Sequence, residues 1–154
     1  MVSGMKLIVS SLIAAACIFT ALAAAATPEQ EKAFVDSYRK ALEAGDAKAL
    51  AAFLYTEGAK PEQIEFFKMM QSIDQGEKVV SVELVTPDAE DAARFSKAMP
   101  MPDGKMYKLP VKLYKQLVVK TATKDANGSS SGSSSSPVGE IKGRLVIPVP
   151  VPAK

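Results

Sequence analysis

Apolar and polar positions follow three different rhythms along this chain, and each rhythm predicts an element. The first stretch, Leu7 to Leu22, is uncharged and mostly apolar; Lys6 precedes it and the small residues Ala23 to Ala26 follow. A positive start, an apolar run and A-x-A positions are the order of a secretory signal. The run is Ala-rich and short for spanning a hydrocarbon layer of about 30 Å, which argues against a retained anchor. Residues 1–26 are therefore read as a signal peptide and 27–154 as a single domain.

A helical rhythm begins at Thr27. Phe34, Tyr38, Ala41 and Leu42 recur on one stripe, with Glu31, Lys32, Asp36, Arg39, Lys40 and Glu43 on the other face. Thr27, Pro28 and Gln30 form a capping box with proline at the first helical position, and Gly45 is a stop. Asp46 caps a second predicted helix, which carries Leu50, Phe53 and Leu54 and ends at Gly58. Pro61 opens a third, with Ile64, Phe67 and Met70 on one stripe and Gly76 at its close. Thr86 or Asp88 caps a short fourth helix, and a turn-rich connector surrounds Asp103-Gly104.

The period-two rhythm of strands appears three times. Val80, Val82 and Leu84 alternate with Ser81 and Glu83. From Val111 a longer strand sets Leu113, Leu117, Val119 and Thr121 against Lys112, Tyr114, Gln116 and Lys120. The last sets Ile141, Leu145, Ile147 and Val149 against Glu140, Lys142 and Arg144. The two later strands are expected to pair as an antiparallel hairpin. That leaves 126–138, which holds "NGSSSGSSSSP", as a flexible loop whose shortening to a tight Asn-Gly turn leaves the fold intact. Pro148, Pro150 and Pro152 are spaced by two, so their missing donors face one side of a strand while Val149 and Val151 keep theirs for the other. The predicted fold class is α+β: N-terminal helices packed on a small curved antiparallel sheet, ending in a long hairpin with a Ser/Gly-rich loop.

Composition narrows the chemistry. Removing Lys6 from the 19 basic residues leaves 18 against 17 acidic ones, a mature charge of +1 with no basic stripe. Nucleic acid is therefore not an expected partner. There is no histidine, which removes the commonest general base and the commonest metal ligand. Cys17 is the only cysteine and lies in the signal, so the mature chain has no disulfide and no thiolate. Ala14-Ala15-Ala16-Cys17 also loosely fits a lipoprotein processing site, which would tether the chain through an acylated Cys17. The apolar residues after Cys17 depart from the usual polar tether. The expected location is the periplasm or the exterior, with membrane contact only through the signal or Cys17. Asn127-Gly128-Ser129 fits a glycosylation acceptor.

"ALEAGDAKAL", from Ala41 to Leu50, resembles the helix-Gly-Asp-helix opening of the nuclear-transport-factor-two-like (SnoaL-like, cystatin-like cone) superfamily. The resemblance implies a curved antiparallel sheet wrapped around the helices into a cone. It covers about a third of the mature chain, and the same turn also arises from plain capping. The family usually places a strand soon after the second helix, whereas "TEGAKPEQIEFFKMM" reads straight into another helix.

A cone-like cavity would draw on the apolar faces at Phe34, Tyr38, Phe53 and Phe67. The expected function is a non-catalytic exported module that binds a small apolar molecule or a partner protein; no cofactor is implied, and a homodimer is compatible with it. One alternative is a cone-fold enzyme using Tyr/Asp acid–base chemistry, for which Tyr38, Tyr55, Asp36, Asp74, Glu83 and Arg39 are the available groups. Another is periplasmic Cu(I) binding by the soft thioethers of Met99, Met101 and Met106.

Overall fold

A computed structural model describes residues 25–73, 76–126 and 128–154. Residues 1–24, which hold most of the expected signal segment and Cys17, lie outside the described residues, as do Asp74 and Asn127. The element order is α1 (Pro28–Glu43), α2 (Ala47–Ala51), β1 (Leu54–Tyr55), α3 (Pro61–Met70), β2 (Glu77–Val85), α4 (Ala89–Phe95), β3 (Met99–Pro100), β4 (Met106–Lys108), β5 (Leu113–Asp125), β6 (Gly128–Ile141), β7 (Arg144–Pro148) and β8 (Val151–Pro152). The class is α+β. A mixed, mostly antiparallel five-stranded sheet has the order β1-β7-β6-β5-β2, and a small sheet pairs β3-β4-β8.

The capping chemistry works as written. Thr27 accepts from the Gln30 backbone while the Gln30 side chain accepts from the Thr27 backbone, so two orphan donors are satisfied at once. Asp46 and Asp88 cap α2 and α4 through Ala49 and Asp91. The apolar stripe of α1 buries Phe34, Tyr38, Ala41 and Leu42 against Val82, Leu117, Val119, Val138, Leu145, Ile147 and Val149. The N-terminal end of α1 is pinned electrostatically. Glu31 accepts from the Tyr114 hydroxyl at 2.6 Å and from Lys115 at 2.7 Å, both on β5. Ala26 belongs to the same folded unit: it is buried, and its N–H donates to Glu140.

Two expectations change in the C-terminal half. The serine run is a strand, not a loop. β6 pairs with β5 in continuous register from Asp125↔Gly128 to Gln116↔Pro137, and the chain reverses between Asp125 and Gly128. "GEIKGRLVIPV" is not one strand but a second hairpin, with Ile141↔Arg144 closing a two-residue turn. Lys142 and Gly143 both have positive φ, 50° and 78°, the geometry that matches the twist of adjacent strands. A serine run has little β preference of its own. Here the long β5, with Val118, Val119, Thr121 and Thr123, supplies the template.

The second predicted helix also ends early. α2 stops at Ala51, and Leu54–Tyr55 pair in parallel with Ile147–Pro148. The Ile147 and Val149 N–H groups donate to Phe53 and Tyr55 carbonyls. Pro148, between them, turns its missing donor to the side where β6 has already left β7; the expected single proline-spaced strand is divided, because β7 ends at Pro148 and Val151–Pro152 form β8 in the small sheet. A two-residue strand therefore follows the second helix.

Candidate functional site

The rings of Phe34 and Tyr38 stack along α1 with centroids 6.4 Å apart, and Phe53 sets its edge against both at 5.3 and 5.1 Å. These three form one aromatic cluster, but the four expected pocket residues do not share one cavity. Phe34 and Phe53 border a groove of about 350 Å³ beside Gly143 and Leu145. Tyr38 and Phe67 line a different cavity of about 230 Å³.

That second cavity is built by three elements. α1 supplies Tyr38 and Leu42; α3 and the residues after it supply Phe66, Phe67, Met70, Gln71 and Ile73; β6 supplies Ser134 to Pro137. Val119, Ile147 and Phe95 complete the apolar wall. β6 reaches the cavity because it pairs with β7 only at 139–141, so its stretch from 128 to 138 is bonded on the β5 side alone.

Gln71 is the unusual group. It is 8% exposed, and neither its Nε2 nor its Oε1 has a hydrogen-bond partner. Buried amides are almost always bonded, because leaving one orphaned costs about 1–3 kcal/mol per group. Its neighbour Tyr38 is 4% exposed. Burial raises the Tyr38 pKa, while Gln71 pulls it the other way. Tyr38 is therefore a protonated hydroxyl at neutral pH and not a base. Among the described residues that line the cavity there is no Asp, Glu, Lys or Arg.

The acid–base candidates scatter elsewhere. Asp36 pairs with Lys32, Arg39 with Glu43 and Tyr55 with Glu57, all on exposed surface, and Glu83 is exposed on β2. Two further Tyr–carboxylate pairs form among the described residues. In Tyr114–Glu31 the hydrogen bonds from Lys115 and Tyr114 hold Glu31 below its ordinary range, and Tyr114 is raised. In Tyr107–Asp103, at 2.6 Å, the carboxyl is again lowered and the phenol raised. Both pairs keep the proton on tyrosine, and both tie one element to another. Glu31 joins α1 to β5, while Asp103 closes the β3–β4 turn under the fully buried Tyr107.

The methionines do not converge as one strand face. Register places Met99 opposite Tyr107 and Pro100 opposite Met106, so Met99 and Met106 belong to opposite faces of the ribbon. Met101 lines a separate cleft with Gln63, Phe66 and Asp103. Among the described residues no group of three or more His, Cys, Asp or Glu could hold a metal ion, and no helix is long and apolar enough to cross a membrane. A cleft of about 540 Å³ between α4 and residues 108–113 holds no unpartnered buried polar atom among the described residues.

No protein-family model matches this chain, and neither the curated proteins nor the solved structures contain a significant match. The functional reading rests on the geometry.

Sequence reasoning missed Gln71 and Ser134 to Ser136. Gln71 lies four residues after Phe67, on the continuation of its stripe, and a polar residue in that position was the available signal. The serines carried no signal, because only strand pairing brings them to the cavity.

Proposed function

We propose that this chain is an exported, non-catalytic binding module of cone type that takes a small, largely apolar molecule in the cavity between α1, α3 and β6. One observation carries the reading: the buried, unpartnered amide of Gln71 beside Tyr38, in a cavity lined otherwise by apolar side chains and by Ser72, Ser134, Ser135 and Ser136. An orphaned amide is a standing free-energy debt, and a ligand that bonds it removes that debt. The strand that follows α2 and the Ala41 to Leu50 turn support the cone-type assignment. The signal-like Lys6 to Ala26 pattern supports export. The acid–base alternative lacks a carboxylate among the described cavity residues, and the copper alternative lacks a shared face for Met99 and Met106.

A second reading, docking of a partner protein, is favoured by the outward apolar side chains of α3: Phe66 at 39%, Met69 at 63% and Met70 at 65% exposure. Binding of an environment-sensitive apolar dye separates the two. Ile73→Trp, which fills the cavity, is expected to abolish dye binding, and Met69→Glu, outside the cavity, to leave it unchanged. The reverse pattern favours the α3 surface and overturns the cavity reading.

A further inference from the structure

We infer that the ligand presents a neutral head with a donor and an acceptor side by side, a primary carboxamide or lactam, and that Gln71 reads it. This inference rests on the cavity reading above. A glutamine amide offers N–H donors and a carbonyl acceptor on one planar edge. In Gln71 both functions are open at once. A second amide, turned to face it, satisfies both with two hydrogen bonds. A carboxylate supplies acceptors only, so it leaves Oε1 unmet. An alkylammonium supplies donors only, so it leaves Nε2 unmet. Either charged head would also be desolvated with no opposite charge among the described cavity residues.

The surroundings fit the same class. Tyr38 and Ser134 to Ser136 line the same cavity and add hydroxyls to its polar groups. Ile73, Val119 and Ile147 supply an apolar seat for the body. About 230 Å³ is below the roughly 300–1,000 Å³ of drug-sized sites, which suits a short chain or a single ring. The amide atoms of Gln71 are covered by neighbours, so the head reaches them by displacing one. Met70 is the wall residue that moves most cheaply: it is unbranched and 65% exposed.

The test uses octanamide, octanoate and octylamine at neutral pH, each displacing an apolar dye from the purified protein. Octanamide is expected to bind at least about tenfold more tightly than the other two, the equivalent of one net hydrogen bond to a buried group. Gln71→Leu is expected to erase that preference while keeping a folded circular-dichroism spectrum. Should that variant not fold, the side-chain amide resonances of Gln71 in the unaltered protein replace it, and octanamide is expected to shift them. A preference under tenfold, a preference that survives Gln71→Leu, or unshifted Gln71 resonances overturns the head-group assignment and leaves the cavity reading standing. No binding of any of the three probes overturns both.

Discussion

Gln71→Leu is expected to make the ligand-free protein more stable. The substitution removes two buried polar atoms that have no partner, and leucine fills a similar volume with apolar carbon. Each orphaned group carries a penalty of about 1–3 kcal/mol. Against this stands the buried Tyr38 hydroxyl, which loses a polar neighbour, at a cost of about 1 kcal/mol. The net expectation is a gain of about 1–5 kcal/mol. For a domain of this size, each kcal/mol moves the melting temperature by roughly 3–5 °C. The melting temperature is therefore expected to rise by roughly 3–25 °C, and the urea midpoint to rise with an unchanged slope. Gln71→Ala is the control: it removes the same polar atoms but leaves a void, so its gain is expected to be smaller or reversed. A loss of 1 kcal/mol or more in Gln71→Leu would refute the reasoning, because it would mean that the amide is bonded in solution. A stabilising substitution in a binding site is the usual trade between stability and activity.

Deleting 129–136 removes the partners of Lys124 to Leu117 on β5, so a loss of several kcal/mol is expected in urea unfolding; an unchanged midpoint would show that the run behaves as a loop. Gly139→Ala places a methyl against the Val111 side chain and 3.2 Å from the Lys112 carbonyl, with an expected loss of about 1–3 kcal/mol by thermal melting; a neutral result would mean that 111–112 yields freely. Glu31 gains stability from Lys115 and Tyr114 as a carboxylate, so its folded pKa lies below the ordinary 4.5. That contribution is present above the ordinary value and lost as pH falls through the folded one. The stability gap between the unaltered protein and Glu31→Gln is thus expected to be full at neutral pH and to close under acid, and a gap constant from pH about 7 to about 3 would remove Glu31 from the account.

The helices were legible because their signals are local. Thr27 with Gln30, Asp46 with Ala49 and Asp88 with Asp91 each act within three residues, so the caps and the α1 stripe could be read directly. The amphipathic β5 was legible for the same reason, since alternation needs only neighbours, whereas in β2 a register shift between Val79 and Ser81 leaves Val80 exposed, off the face expected for it. Leu54–Tyr55 was misread as helix because its strand character comes from β7, about ninety residues later in the chain. The serine run is the sharpest case. By itself it predicts chain without a core, and only the register with β5 makes it a strand and brings Ser134 to Ser136 to the cavity. Gln71 follows the same logic: the amide is an ordinary polar residue in sequence, and only packing under α3 leaves it buried and unbonded. Caps and periodicity act through contacts within a few residues, so the sequence alone determined α1, the caps and the core stripe. Strand partners and the burial of polar groups depend on distant segments, so the tertiary structure alone decided the cavity and what lines it.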